Sequence, residues 1–371
     1  MLELLKKDKI NKISKLSINS YRNHDHLELE IPNCSVVLYG RNGVGKTSIL
    51  EAISTFSNSR GGLRNAKFYE MVKCKKNDFS ISLDLNVDDI IKLEINSYYN
   101  NEKKIRKLSV NGKETGAFSL VKKSMPMLWV GPHAERIFNE GPSSRRNFLD
   151  NLVINFDDAH GNRLGEYEKL LKQRSKLLKE NKGDDNWLNA LEKIMAKLAV
   201  SISSSRLDST FRLNTNLEKS LENFPNVKIE FNDCLEKDLK NTPAIDIEDK
   251  LIQKFKSSRR IDSILGGCQY GSQKSDYVVT NLDKNISAKM CSSGEQKSLL
   301  ISLVIACSRA IKESINCPPI ILLDDIFSHL DNVRKTSLLQ ELSNLRSQSW
   351  ITITEKERFL HNNKDFCYYS L

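Results

Sequence analysis

The sequence predicts an α/β fold: a mixed sheet with flanking helices and an antiparallel subdomain, interrupted by an inserted, mainly helical lobe. Three observations carry this prediction. A β-branched and aromatic run from Val36 to Tyr39 breaks into glycines and then into a helical pattern. A second apolar run, Ile320 to Leu323, ends in the paired acids Asp324 and Asp325. Between the two lies a long stretch whose apolar residues recur at helical spacing. The chain has 371 residues, enough for one large domain or two ordinary ones with a real core.

The run Val36–Tyr39 suits a strand buried on both faces. Gly40, Arg41, Asn42, Gly43, Val44, Gly45, Lys46 and Thr47 follow, with Ser48 next, in the spacing G-x-x-x-x-G-K-T. Glycines at these places let the backbone turn so that its N–H groups point at phosphate oxygens. Lys46 is the residue to meet β- and γ-phosphates, and the Thr47 hydroxyl is the one to sit on Mg²⁺. Ile49, Leu50 and Ile53 then share one side of a helix whose N-terminus favours negative charge. These residues predict ATP or GTP as the ligand and decide nothing further.

The acids at the end of Ile320–Leu323 supply what a Mg²⁺–nucleotide site needs opposite such a loop. Asp324 can hold the metal through water, and Asp325 can orient or deprotonate an attacking water. Before them, Ser292-Ser293-Gly294 stands directly ahead of a helix with Leu299, Leu300, Leu303, Val304 and Cys307 on one side. A serine and a glycine at a helix start can cradle a second anion. In this order, followed by Ser328-His329-Leu330-Asp331, the chain resembles the ABC ATPases. The resemblance makes Gly40–Thr47 the Walker A loop, Cys291–Glu295 the signature, Asp324 the Walker B acid, Asp325 the catalytic carboxylate and Asp331 part of the D-loop. It thus implies an ABC-type P-loop ATPase head, with Lys46 and Ser292 acting beside Asp325 in catalysis. The family's catalytic carboxylate is usually glutamate, and cysteine stands here at the signature's usual leucine.

Ser292 lies 246 positions beyond Lys46. That is longer than in a transporter subunit and too short for the coiled-coil arms of SMC proteins, so the insert must be compact. The segments "INSYRNHDHLELEI", Gly141–Leu178 and "CSSGEQKSLLISLVIACSRA" are similar to the RecF family, and "GEQK" with "AHG" resembles its alphaproteobacterial branch. The likeness implies a homodimer formed with ATP on DNA at gaps or single-strand/duplex junctions. It also implies RecO and RecR as partners, loading of RecA, and slow hydrolysis. Two departures stand out. Gly271-Ser272-Gln273-Lys274-Ser275-Asp276 replaces the family's frequent Gly-Pro-His-Arg-Ser-Asp, and no clear Q-loop glutamine stands near Pro132-His133-Ala134-Glu135.

The remaining elements follow from pattern. Leu27, Leu29 and Ile31 alternate with Glu28 and Glu30, and Ile81, Leu83 and Leu85 repeat the alternation, which predicts half-exposed strands. Asn111-Gly112 within "SVNGKE" signals a hairpin. Phe148, Leu149, Leu152, Val153 and Phe156 predict one helix, and Leu164, Tyr167 and Leu171 a second. Trp187, Leu191, Ile194 and Leu198 predict a third, with these stripes facing the core. "NVKIEF" predicts a strand inside the lobe. The domain division expected is 1–135 for the first part of the head, 136–265 for the lobe and 266–371 for the rest of the head. Lys169, Lys172, Lys176 and Lys179 line one helix face, either as a solvated face or as a track for DNA phosphates. Arg145 and Arg146 fall in a first helical turn, where cations are disfavoured, and call for an acidic partner.

Composition narrows the function classes. The net charge is +10 and the pI about 9.0, which favours a polyanionic partner, nucleic acid first. Apolar runs such as Pro318–Leu323 are far below the roughly 20 residues of a membrane span, so a cytoplasmic protein with no membrane partner is expected. The start "MLELLKKDKINK" lacks the apolar stretch of a secretory signal. Eight scattered cysteines with no CxxC pair predict reduced thiols. The rival readings are a transporter ATPase subunit, a DNA scaffold with a vestigial ATP site, and a nucleotide-fuelled nuclease. The long basic lobe, the intact site residues and the absence of a further acidic cluster argue against them in turn.

Overall fold

The computed structural model describes residues 10–57, 62–64, 66–88, 90–115, 121, 124–131, 134–180, 184–232, 235–328, 330–354 and 365–371. Pro132, His133, His329 and Cys234 lie outside these residues. Two compact units are present. The first comprises Met1–Ala134, Ser220–Phe224 and Leu300–Leu371, the second Glu135–Lys219 and Pro225–Leu299.

In the first unit the chain opens as an antiparallel sheet. Strands β1 (Asn11–Tyr21), β2 (His24–Glu30), β4 (Asp78–Val87), β5 (Ile91–Asn100), β6 (Ile105–Val110) and β7 (Lys113–Glu114) lie in the order β2-β1-β4-β5-β6-β7. Alternation does the work the sequence predicts of it. In β4, Phe79, Ile81, Leu83 and Leu85 are buried, and the residues between them are partly exposed. Asn111 and Gly112 both take positive φ, so the two-residue turn joining β6 to β7 is the one that matches the sheet's twist. Strand β3 (Ser35–Tyr39) and helix α1 (Lys46–Ser54) are set into this run, and β8 (Met127–Val130) follows it.

The second unit is mainly helical. Helices α2 (Pro142–Val153), α3 (His160–Glu180), α4 (Asp185–Leu217) and α5 (Ala244–Leu265) accompany a small antiparallel sheet of β9 (Val227–Phe231), β10 (Tyr277–Asn281) and β11 (Ile286–Ser287). Its apolar core joins Tyr167 of α3, Leu191, Met195 and Ala199 of α4, and Leu251 and Phe255 of α5. The stripe expected on α4 is corrected. Trp187 and Ile194 are 59% and 48% exposed, and the buried face runs through Leu188, Leu191, Met195 and Ala199 instead. Over 33 residues, several apolar stripes can be drawn on such a helix, and packing against α3 and α5 selects one.

Charges are buried beside that core. Arg174 of α3 donates to Glu192 of α4 at 2.8 Å, to Asp262 of α5 at 2.7 Å and to the Phe255 carbonyl at 2.7 Å. Arg206 of α4 grips both oxygens of Asp150 in α2 at 2.8 Å and donates to the Ser272 carbonyl. His160 Nε2 also bonds Asp150, at 2.9 Å. The acid that Arg145 calls for is Asp276, held in a two-pronged pair at 2.8 Å, while Arg146 donates to the Ser275 carbonyl. The altered segment Gly271–Asp276 is thus tied into this unit by its carbonyls and its acid. Gly271 has φ 117 and packs against the Tyr167 hydroxyl, where a side chain would collide.

Helix α6 (Ser293–Ile315) leads back into the first unit, followed by β12 (Ile320–Leu323), α7 (Asn332–Leu345), β13 (Ser349–Ile353) and β14 (Phe366–Ser370). A five-stranded parallel sheet results, in the order β14-β3-β13-β12-β8. Its strands read as near-continuous apolar runs, as a sheet covered on both faces requires. One buried amide stitches it to the antiparallel sheet. Gln348 accepts from the Ile13 N–H at 2.8 Å and donates to the Ile13 and Cys34 carbonyls. The expectation of reduced cysteines is corrected here. Cys34 and Cys367, 333 positions apart, form a disulfide because β14 pairs in parallel with β3. Cys74, Cys268, Cys291 and Cys307 are free thiols.

Asp150 supplies a stability test. Burial alone would raise its carboxyl, but Arg206 and His160 outweigh burial and hold it below the ordinary 3.8. A depressed folded value means the stabilisation is complete above 3.8 and is lost as pH falls through the lower folded value. Asp150→Asn leaves Arg206 buried without its main charge, so it should cost about 3–5 kcal/mol in urea unfolding at pH 7. The variant should also lose the part of the acid limb below pH 4 that Asp150 contributes.

Candidate nucleotide site

The site grows from the parallel sheet. Strand β3 ends at Tyr39, the chain turns through Gly40–Gly45, and α1 begins at Lys46. Two glycines are required by space as well as by angle. At Gly40 (φ 152) a Cβ would stand 2.7 Å from the Leu371 carbonyl. At Gly45 (φ 107) a Cβ would overlap the side chains of Asn23 and His24. Those two residues lie at the β1–β2 turn and hold the loop from outside. Asn23 Nδ2 donates to the Gly43 carbonyl, and His24 Nε2 to the Gly45 carbonyl, both at 3.2 Å. Next to them Arg22 makes a two-pronged pair, at 2.8 and 2.6 Å, with Glu51, which is fully buried in α1.

Lys46 folds back along the loop and donates to the carbonyls of Gly40 at 2.5 Å and Arg41 at 2.9 Å. Burial lowers its ammonium below the ordinary value, against the pull of Asp324 and Asp325. Thr47 donates its hydroxyl to Asp324 Oδ1 at 2.9 Å. Arg41 and Asn42 are exposed, while Ser48 is buried in the first turn of α1. The structure therefore brings Lys46, Thr47 and Asp324 together at the end of the sheet.

Asp324 follows β12 and is buried. Burial pushes its carboxyl up, while hydrogen bonds from Thr352 and Thr47 pull the other way. Thr352, in β13, donates to Asp324 Oδ1 at 2.7 Å and accepts from the Asp325 N–H at 2.8 Å. Asp325 itself takes φ 51, a left-handed conformation uncommon for a residue with a side chain. The pair of oxygen groups, a hydroxyl and a desolvated carboxylate, fits a hard divalent cation, which Thr47 and Asp324 could hold.

Ser292 and Gly294 belong to the second unit. The Ser292 N–H and hydroxyl both donate to Glu295 Oε2, at 2.8 and 2.9 Å, in a reciprocal cap on α6. Lys284 pairs with Glu295, and it and the Ser292 donors bring that carboxyl down to about 2. Asp331 caps α7 by accepting from the Arg334 N–H at 2.8 Å. Lys169, Lys172, Lys176 and Lys179 are all exposed on α3, and Lys176 stands 3.9 Å from Glu180. Sequence reading missed Asn23, His24 and Thr352. "YRNH" between two alternating strands was the visible signal for the first two, and Thr352 carried none.

A parallel sheet with a phosphate loop on one strand, paired acids on another and an antiparallel sheet built on the same chain define a P-loop ATPase head. Residues 12–186 match the AAA ATPase domain family. The SMC head domain from Pyrococcus furiosus shares the fold, with a TM-score of 0.52 at 15% identity over 93% of this chain and 90% of that one. Within this class the chain belongs to the RecF family. It is 34% identical to the DNA replication and repair protein RecF of Rickettsia conorii over 342 residues, 92% of this chain and 94% of the relative. A solved RecF–ATP structure, a recombination mediator protein in the RecFOR pathway, has a TM-score of 0.80 at 25% identity over 94% of each chain.

Asp324→Asn separates ligand binding from stability. A folded value raised above 3.8 means that stabilisation is complete below 3.8 and is lost as pH rises through the folded value. The ionised form therefore costs stability at pH 7. Asparagine still accepts from both threonines, so the ligand-free variant should melt at or above the wild-type temperature at pH 7 in differential scanning fluorimetry. Its ATP affinity in the presence of Mg²⁺ should fall about tenfold or more by calorimetry.

Proposed function

We propose that this chain is an ATP-driven DNA clamp of the RecF type. The observation that carries the reading is the assembly of Lys46, Thr47 and Asp324 beside Asp325, in a chain similar to RecF along nearly its whole length. Backbone N–H groups of Gly40–Thr47, with Ser48, cradle the phosphates, and Lys46 meets the β- and γ-phosphates. Thr47 and Asp324 hold Mg²⁺, and Asp325 orients or deprotonates the attacking water. The shorter acid at 325 favours slow turnover.

Ser292, Gly294 and Asp331 serve the ATP of a second copy, so that two nucleotides are buried between two heads and hydrolysis parts them. DNA dependence of the ATPase belongs to the same reading. The charge of +10 and the exposed lysines Lys169, Lys172, Lys176 and Lys179 support binding to DNA phosphates, which positions without reading sequence. Gapped or single-strand/duplex junction DNA is the substrate we assign, with RecO and RecR as partners, RecA loading as the outcome and the cytoplasm as the compartment. Among the described residues no helix is long and apolar enough to cross a membrane.

The test is mass in solution without ligand, with ATP, and with ATP plus gapped DNA. The wild type should double its mass with ATP. Ser292→Arg should bind ATP as the wild type does but stay monomeric and fail to hydrolyse it. ATP-driven dimerisation of this variant at wild-type levels would remove Ser292 from the interface. For DNA, changing Lys169, Lys172, Lys176 and Lys179 together to glutamine should flatten the salt dependence of duplex binding. The log–log slope should fall by about 0.9 for each phosphate that is no longer neutralised. An unchanged slope returns these lysines to a solvated face.

A further inference from the structure

Thr352 occupies the strand that separates the phosphate-loop strand from the acid-bearing strand: β13 lies between β3 and β12. The register pairs Thr352 with Leu38 on one side, and on the other it aligns Ile351 with Leu323, the residue before Asp324. Thr352 is buried and flanked by Ile351 and Ile353 in an otherwise apolar stretch. Packing alone would be served as well by valine, which has the same β-branched shape and no hydroxyl needing a partner.

The directions of its two hydrogen bonds are fixed by chemistry. The Asp325 main-chain N–H can only donate, so Thr352 Oγ1 accepts there, at 2.8 Å. The single hydroxyl proton is then available for Asp324 Oδ1, 2.7 Å away. Thr47 donates to the same oxygen at 2.9 Å. One hydroxyl thus holds the carboxylate of the first acid and the backbone of the second.

The second of these matters because of the conformation it holds. Asp325 has φ 51, and such a backbone persists in a side-chain-bearing residue only where its surroundings over-determine it. Here the N–H is held by Thr352, and the carbonyl accepts from the Ser328 hydroxyl at 2.9 Å.

We propose that Thr352 is a positioning residue of the ATP site. It aims the Asp324 carboxylate toward Thr47 and fixes the turn from which the Asp325 side chain departs. The inference rests on the reading of Asp324 as the metal-side acid. It adds that the central strand, in neither the phosphate loop nor the acid pair, sets the geometry of both acids.

The experiment compares Thr352→Val, Thr352→Ser and Asp324→Asn with the wild type. ATP affinity is measured by calorimetry with and without Mg²⁺, alongside melting temperature and steady-state ATPase kinetics. Thr352→Val should bind ATP without Mg²⁺ within about twofold of the wild type, while losing about tenfold of the affinity that Mg²⁺ adds. Its KM should rise with that loss of affinity, and its kcat should fall as well, because Asp325 is the acid that acts on the attacking water. Thr352→Ser keeps the hydroxyl and should recover the Mg²⁺-dependent affinity to within about threefold. Should the valine variant not fold, Thr352→Cys, a weak donor of similar size, is compared with Thr352→Ser, and the same loss is expected.

Two results overturn the proposal while leaving the metal reading intact. In the first, Asp324→Asn loses the Mg²⁺-dependent affinity and the valine variant keeps it. In the second, the serine and valine variants lose it equally. If Asp324→Asn itself keeps the Mg²⁺-dependent affinity, the metal reading fails and the proposal falls with it.

Discussion

A carboxylate buried at the end of a parallel sheet is unfavourable unless donors converge on it, and the first unit is organised around meeting that demand at Asp324. The acid follows β12, one of its donors comes from α1 behind the phosphate loop, and the other comes from β13. Thr47 and Asp324 are 277 positions apart in the chain, so their bond forms only when the strands between them are correctly paired. The order β14-β3-β13-β12-β8 brings β3, β13 and β12 side by side. Gln348 then fixes the antiparallel sheet to the same framework through the main chain of Ile13.

The second unit faces a similar problem with more charges and solves it with guanidinium groups. Arg174 joins three helices through Glu192, Asp262 and a carbonyl, and Arg206 joins α2 to α4. Buried pairs of this kind are weak sources of net stability but costly to break singly. A slip in helix register would leave one of these charges stranded, a cost that selects among helix arrangements. The exposure of Trp187 beside the buried Leu188 is consistent with that selection: apolar character alone would have allowed either face.

How much of this was legible in the sequence depended on how local each signal is. The phosphate loop, the strand ending in Asp324 and Asp325, the alternation in β4 and the Asn111–Gly112 turn are each written within a dozen residues, and the structure has them where the pattern puts them. Helix electrostatics call for an acid beside Arg145, but its identity, Asp276, lies 131 positions away. The Cys34–Cys367 bridge and the roles of Asn23, His24 and Thr352 depend wholly on which strands become neighbours. No periodicity encodes that. A threonine between isoleucines reads as strand filler until β12 is laid beside it.

The grip of Asn23 and His24 on the phosphate loop has a consequence for how a ligand arrives. A glycine-rich loop is among the most mobile of backbones when free, and ordering it on encounter would subtract from affinity. Here the carbonyls of Gly43 and Gly45 are already engaged by side chains from a hairpin 20 and 21 positions earlier. The Lys46 ammonium, with two of its three protons on the Gly40 and Arg41 carbonyls, keeps a third donor for an incoming phosphate. On the proposed reading, a nucleotide meets a loop that is already held in place, so the cost of ordering it falls on folding rather than on recognition.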